Sequence, residues 1–301
     1  MVLSTLLYYY CNIRYGLTDH TGIRTLDDEI NPLENADPLE NVPGLDEIPK
    51  PRFDEAFSLI RDAGLTRCEC KVWDITLDES EFVTFAKGKV VSPGGMVSLL
   101  IARAIDRLYP NRSKPLGSSY IINARPMIDT NETIHNCVNT MRLDYSDEIK
   151  ILSLEEQAGA YRKIIKECST PQYVMGVNAV AVTSNRMRLK APEIEGKTAE
   201  FGKALMGGQR LFTFMVSYIG KWKYTSVEKY ITDFKTHVPE ANELLIELAA
   251  VGGKFYINVH QLFEEDCVIQ EVMKELSDNG IAYEMSGPMV NDRAKCKYDF
   301  G

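Results

Sequence analysis

The stretch from Ser92 to Pro110 does most to limit what this chain can become. Ser92 offers a side-chain acceptor for a helix N-cap, and Pro93 is already fixed at a helical φ in the first turn. Pro110 stops the helix that those two residues start. Between them Met96, Val97, Leu100, Ile101, Ala104, Ile105 and Leu108 make the helix apolar on most of its sides, where a surface helix would show a single stripe. A helix of that kind is expected at the centre of a fold, enclosed by other elements.

The rest of the chain is read around it. Leu3, Leu6, Leu7, Tyr10 and Ile13 recur at helical spacing from the second residue onward. That apolar face begins without a capping residue or lead-in, as though the chain were entered partway through. Residues 16–52 are rich in Asp, Glu, Asn and Pro and hold a small tandem, Asn31-Pro-Leu-Glu-Asn35 and Asp37-Pro-Leu-Glu-Asn41. So many prolines exclude a long helix or a central strand, and an extended surface crossover is expected. Alternation marks a strand at Arg67–Leu77, and strands follow at Ser119–Arg125 and Cys137–Tyr145. Two or three helices are expected between Leu154 and Met206, then a strand at Leu211–Ile219. Leu244–Ala250 and Lys254–Gln261 read as strands joined through Gly252-Gly253 in a tight hairpin. A helix at Asp266–Ser277 is stopped by Asn279-Gly280, and Ile281–Ser286 closes as a strand. Strands and helices intermingle with a hairpin present, which predicts an α/β fold with a mixed sheet in a two-layer sandwich. The division expected is 1–52, helix and crossover, and 53–301, a single domain.

Charge and cysteines narrow the partners. The 43 acidic residues outweigh 34 basic ones, for a net charge of -9, and no basic stripe is present. Phosphate backbones need clustered Lys and Arg, so no nucleic-acid partner is expected. No apolar run reaches the length of a membrane span, and the N-terminus lacks a basic region and a cleavage site, so a cytoplasmic protein without a membrane partner is expected. The seven cysteines are scattered. Cys68 and Cys70 share a strand face but have no second pair nearby, so neither a metal site nor a disulfide framework is expected. Ser217 lacks the Gly-x-Ser-x-Gly turn of a hydrolase nucleophile. The pairs Gly94-Gly95 and Gly207-Gly208 lack the context of a phosphate loop.

Three runs occur in an order that resembles a known family. They are Ser92-Pro-Gly-Gly-Met-Val-Ser-Leu-Leu-Ile-Ala-Arg-Ala-Ile105, Ile121-Ile-Asn-Ala-Arg-Pro126 and Cys137-Val-Asn-Thr-Met-Arg-Leu143. With Val216-Ser-Tyr-Ile-Gly220 and the passage through His260-Gln261, they resemble the C-terminal half of the chloramphenicol acetyltransferase-like and condensation-domain superfamily, in its alcohol acetyltransferase-like branch. The resemblance implies two halves of similar fold forming a V. A tunnel between them takes an acyl thioester from one side and an acceptor from the other. It implies an acyl thioester of coenzyme A or of a carrier protein as donor, with acyl-CoA the expected co-substrate, no resident cofactor, and a hydroxyl or amine as acceptor.

In that family a histidine of a His-x-x-x-Asp-Gly motif takes the acceptor's proton. The histidines here are His20, His135, His237 and His260, and none has Asp-Gly at the required offset. The resemblance therefore assigns no catalytic residue to this chain and predicts that it begins just after the motif, without the N-terminal half. Arg125 matches the family's arginine that pairs with the motif's Asp. It must find another acid, water or a second chain, unless it is an ordinary strand-end arginine in solvent. Asn139, Ser217 and His260 are the expected substrate-binding residues, Ser217 as a hydrogen-bond donor near the acyl group. Asn139 and Asn136 could equally satisfy backbone groups at a strand end. His260 shares a face with Tyr256 and Asn258 and could equally be structural. Tyr8, Tyr9 and Tyr10 read as packing or a subunit contact. The alternative to an acyltransferase is a non-catalytic truncated homologue that binds a ligand or self-associates as a homo-oligomer, covering the face a missing half would leave.

Overall fold

Among the described residues, seven strands pair into one mixed sheet. In the computed structural model, which describes residues 2–35, 53–128, 133–134, 137–178, 210–238 and 243–290, the strands are β1 (Arg67–Asp78), β2 (Leu116–Asn123), β3 (Val138–Tyr145), β4 (Phe214–Lys221), β5 (Leu244–Val251), β6 (Lys254–Phe263) and β7 (Glu284–Val290). They lie in the order β3-β2-β4-β5-β6-β1-β7. Neighbours are antiparallel except β2 with β4 and β4 with β5, which run parallel. The expected hairpin is present: β5 and β6 pair through Gly252 and Gly253, both at positive φ, a conformation glycine adopts without strain.

The longer helices are α1 (Val2–Tyr15), α2 (Glu79–Gly88), α3 (Pro93–Leu108), α4 (Leu154–Cys168) and α5 (Cys267–Asp278). Ser92 caps α3 by accepting from Gly95 N, and Ser153 opens α4 with a full capping box to Glu156. As its sequence requires, α3 is buried without a break from Gly94 to Ala102 and again at Ala104, Ile105 and Asp106. It packs on the sheet with α4 and α5 beside it, and its side chains join Ile75, Phe214, Val216, Ile246, Ile257 and Val259 in the main core. A cavity of about 20 Å³ remains there, lined only by apolar side chains such as Leu100, Ile257 and Val272. It holds space for about one water and offers no polar group, so substrate chemistry does not belong inside the core.

One polar clasp crosses this core. Glu275 of α5 is 1 % exposed and accepts from Arg103 Nε of α3 at 3.0 Å, while Arg107 binds the same carboxylate oxygen. Arg103 also donates to Gln157 Oε1 of α4 at 2.8 Å. Gln157 in turn donates to the Tyr145 hydroxyl and the Leu152 carbonyl. Three helices and β3 are thereby fixed in one arrangement by partners that each satisfy another's buried group.

Several expectations shift. The helix α2 follows β1 without a break and was not anticipated; Asp78 caps it by accepting from Glu81 N at 2.8 Å. The strand expected at Ser119–Arg125 starts earlier and stops at Asn123, because Arg125–Met127 turns into a 3-10 helix ahead of the loop. The strand expected at Leu211–Ile219 is shifted to Phe214–Lys221, and the closing strand to Glu284–Val290. Ile281 is instead the stop of α5: its N–H donates to the Leu276 carbonyl past Gly280 at positive φ, and its side chain packs on the core. On α1 the inward residues are Ser4, Tyr8 and Cys11, while Leu3, Leu6, Tyr10 and Ile13 are exposed. The second turn of the tandem, Asn136, His135, the Gly207-Gly208 pair, Cys296 and the stretch from 179 to Met206 lie outside the described residues. Among those that are described, no single helix is long and apolar enough to cross a membrane.

Replacing Glu275 by Ala removes the carboxylate shared by two partly exposed arginines, leaving Arg107 to Glu271 and Asp278 and Arg103 to Gln157. The expected loss is about 2–3 kcal/mol, at or below the low end for a wholly buried pair. Glu275→Gln, which keeps the acceptor oxygen, should lose clearly less. Urea denaturation at neutral pH checks both, and equal losses for the two variants would contradict the role given to the acceptor oxygen.

Candidate functional site

With the helices α3, α4 and α5 on one side, the other face of the sheet is where polar side chains gather. Register across the strands sets up a single row: Thr140, Ile121, Ser217, Glu247, Asn258 and Asp74. The two ends of the row have different fates.

At the β6–β1 end the row is closed. Asn258 Nδ2 donates to Asp74 Oδ1 at 2.7 Å, and Lys235 reaches Asp74 Oδ2 at 2.8 Å. Asn258 Oδ1 accepts from Thr236 N at 3.1 Å and from Thr236 Oγ1 at 3.0 Å. The carboxylate of Asp74, only 7 % exposed, is thus neutralised and its amide neighbour fully used. The hydrogen bond to Asp74 also raises the Lys235 pKa above its ordinary value. These bonds pin the segment carrying residues 231–238 over the sheet. Ile231 and Phe234, with Trp222, pack on Ala249, Val251 and Tyr256. The helix α1 lies against the preceding residues, with Tyr8 and Cys11 joining Val227 and Ile23.

His260 sits under the same segment. It is fully buried, its Nε2 is 3.1 Å from the Thr236 carbonyl, and its Nδ1 is 4.0 Å from Cys70 Sγ. The carbonyl can only accept, so Nε2 carries the proton and Nδ1 does not. Burial pushes the His260 pKa below its ordinary value, opposed by the nearby Glu247 charge. Its ring is held as a neutral strut under the segment.

At the β4–β2 end the row is open among the described residues. Ser217 and Glu247 are half-buried, flanked by half-buried Ile121, Thr140 and Met215 and by exposed Ile219 and Val138. Neither the Ser217 hydroxyl nor the Glu247 carboxylate has a hydrogen bond or ion pair among the described residues, and this sets them apart from Asn258 and Asp74.

The residues expected from the sequence are therefore not gathered in one place. Ser217 and His260 share a face, on adjacent rows. Asn139 pairs in register with Ile122 and points to the helix side. It is buried there, donating to the Val174 carbonyl at 3.0 Å and accepting from Thr140 N at 2.7 Å. Arg125, half-buried past the end of β2, donates to Asn123 Oδ1 at 3.3 Å and to the Thr133 carbonyl at 3.4 Å. Glu247 and Asp74 were not singled out. For Glu247 the signal was one charged residue in the apolar run from Leu244 to Ala250. Among the described residues no three of His, Cys, Asp and Glu are grouped to hold a metal, and the described cysteines are free thiols.

No protein-family model matches the chain, and no curated protein matches it. Solved structures do. The condensation domain of the monacolin K polyketide synthase MokA is 13 % identical, with 82 % of this chain and 54 % of that one covered at a TM-score of 0.49. The epimerization domain from the third module of tyrocidine synthetase B is 10 % identical over 77 % and 51 % of the two chains, TM-score 0.48. TRI101 of F. sporotrichioides, solved with coenzyme A and T-2, is 12 % identical over 80 % and 56 %, TM-score 0.46. The likeness is one of fold. The chain spans about half the length of these three structures.

The neutral His260 generates a prediction. Below the ordinary histidine value of 6.5 the unfolded chain takes up a proton that folded His260 refuses. Its contribution to stability is then complete above that pH and is lost as pH falls towards the depressed value. His260→Gln keeps a donor for the Thr236 carbonyl and does not titrate. In urea titrations the wild type should lose stability relative to this variant on going from pH 7 to pH 5.5, and a constant difference would refute the assignment.

Proposed function

We propose that this chain is one half of an acyl-transfer enzyme, moving an acyl group from acyl-CoA to a hydroxyl or amine. The observation that carries the reading is Ser217. It lies at the centre of the open end of the outer sheet face, its hydroxyl unused by the described residues, on the strand where the sequence resemblance expects a donor to the acyl group. Attack on a thioester carbonyl builds negative charge on its oxygen, and a fixed hydroxyl donor at that oxygen lowers the barrier. In this reading Ser217 is that donor. The order of the three matching runs also supports it, since they fall on α3, on β2 with the turn after it, and on β3, which pack around one another.

The acceptor's proton needs a base, and no described histidine offers one. His260 is buried with Nε2 engaged, and His20 is an exposed side chain beside Tyr8. The sequence holds no His-x-x-x-Asp-Gly motif, so the base would come from a complementary half. The exposed row of Leu3, Leu6, Tyr10 and Ile13 on α1 favours the second reading beside this one, in which the chain associates through that helix and binds without turnover.

Release of the coenzyme A thiol, followed with a thiol-reactive dye against alcohols and amines, tests the reading. The chain alone should be silent. Joined to coding sequence upstream of Met1 that supplies the motif, it should turn over, and Ser217→Ala should lower kcat by about a hundredfold with little change in KM for acyl-CoA. Unchanged kcat in that variant would remove Ser217 from the reaction.

A further inference from the structure

We propose that Glu247 and Ser217 form a binding site for an organic ammonium group, which on the acyl-transfer reading makes the acceptor an amine. The carboxylate of Glu247 is half-buried between Leu245 and Ala249, both buried, along its own strand. Across the sheet its neighbours are Ser217 on one side and Asn258 on the other. A carboxylate drawn partly out of water is costly unless a cation or hydrogen bonds replace the water it loses. Asn258 is committed to Asp74 and Thr236.

The basic groups of this face are committed too. Lys235 is held by Asp74 at 2.8 Å, and Arg142 bonds Asp144 at 2.6 Å. His260, in the next row, is kept neutral by burial and engaged by Thr236. Among the described residues, then, no cation satisfies Glu247, and we assign that charge to a ligand.

The surroundings say which kind. One carboxylate and one hydroxyl fall short of the six or more oxygens that calcium or magnesium would need. They are enough for an ammonium, whose N–H donors can be shared between the Glu247 carboxylate and the Ser217 oxygen. Beside them Ile121, Met215 and exposed Ile219 present apolar surface, which suits a carbon skeleton and does nothing for a bare inorganic cation. A charge at the floor with apolar walls is the pattern of an alkylammonium site.

Isothermal titration of the whole chain with n-hexylammonium and with hexan-1-ol at pH 7, without acyl-CoA, tests this. The amine should bind about tenfold or more tightly than the alcohol, as expected for a hydrogen bond to a charged group. Glu247→Gln should abolish that advantage while leaving alcohol binding unchanged. Equal affinities in the wild type, or an advantage that survives in Glu247→Gln, would overturn the site. Because no acyl donor is present, a failure of acyl transfer leaves this result standing: amine preference without coenzyme A release would defeat the enzymatic reading alone.

Discussion

Nearly every side of α3 is buried, so the helix needs partners all round, and the supply of those partners organises the molecule. The sheet lies beneath it, α4 and α5 flank it, and α2 crosses near its start. Only two long polar side chains, Arg103 and Arg107, leave the helix towards α5, and both end on one carboxylate of Glu275. An apolar cylinder alone could rotate or slide against its neighbours at modest cost. The paired charges, tied on through Gln157 to β3, remove that freedom.

With one side of the sheet filled in this way, the other side is covered, among the described residues, only in part. The same row of residues that would line a ligand also holds the cover. Asp74 and Asn258 fasten the segment around Thr236, and His260 supports it from below. Glu247 stands next to that closed group, one strand nearer the open end, and among the described residues the change from satisfied to unsatisfied polar groups occurs between two neighbouring strands. A ligand placed against Ser217 would therefore rest on a rigid floor beside a fixed wall.

Much of the framework was legible in the sequence because it rests on local rules. The cap at Ser92, the hairpin at Gly252-Gly253 and the stop at Asn279-Gly280 are chemical statements about single turns, and they hold. The helix α2 was missed because Asp78 ends a strand and caps a helix in the same residue, leaving no loop to mark the change. Which flank of α1 faces in was not legible, because periodicity reports which residues align, and packing decides which of two apolar flanks is buried. The candidate site was harder still. Asn139 and Ser217 both sit on strands, but alternation from different starting points sends them to opposite faces, and only the register between β2, β3 and β4 settles that.

The strand β1 lies between β6 and β7, so its only ladder partners are formed by the last part of the chain. Asp74 and the Asn258 that receives it are 184 residues apart. During synthesis β1 is made early and waits with both edges bare until the β5–β6 hairpin and the strand after α5 have left the ribosome. For that interval the sheet is split into a part that can assemble and a strand that cannot. The same insertion that locks the finished fold makes the growing chain dependent on protection from mispairing.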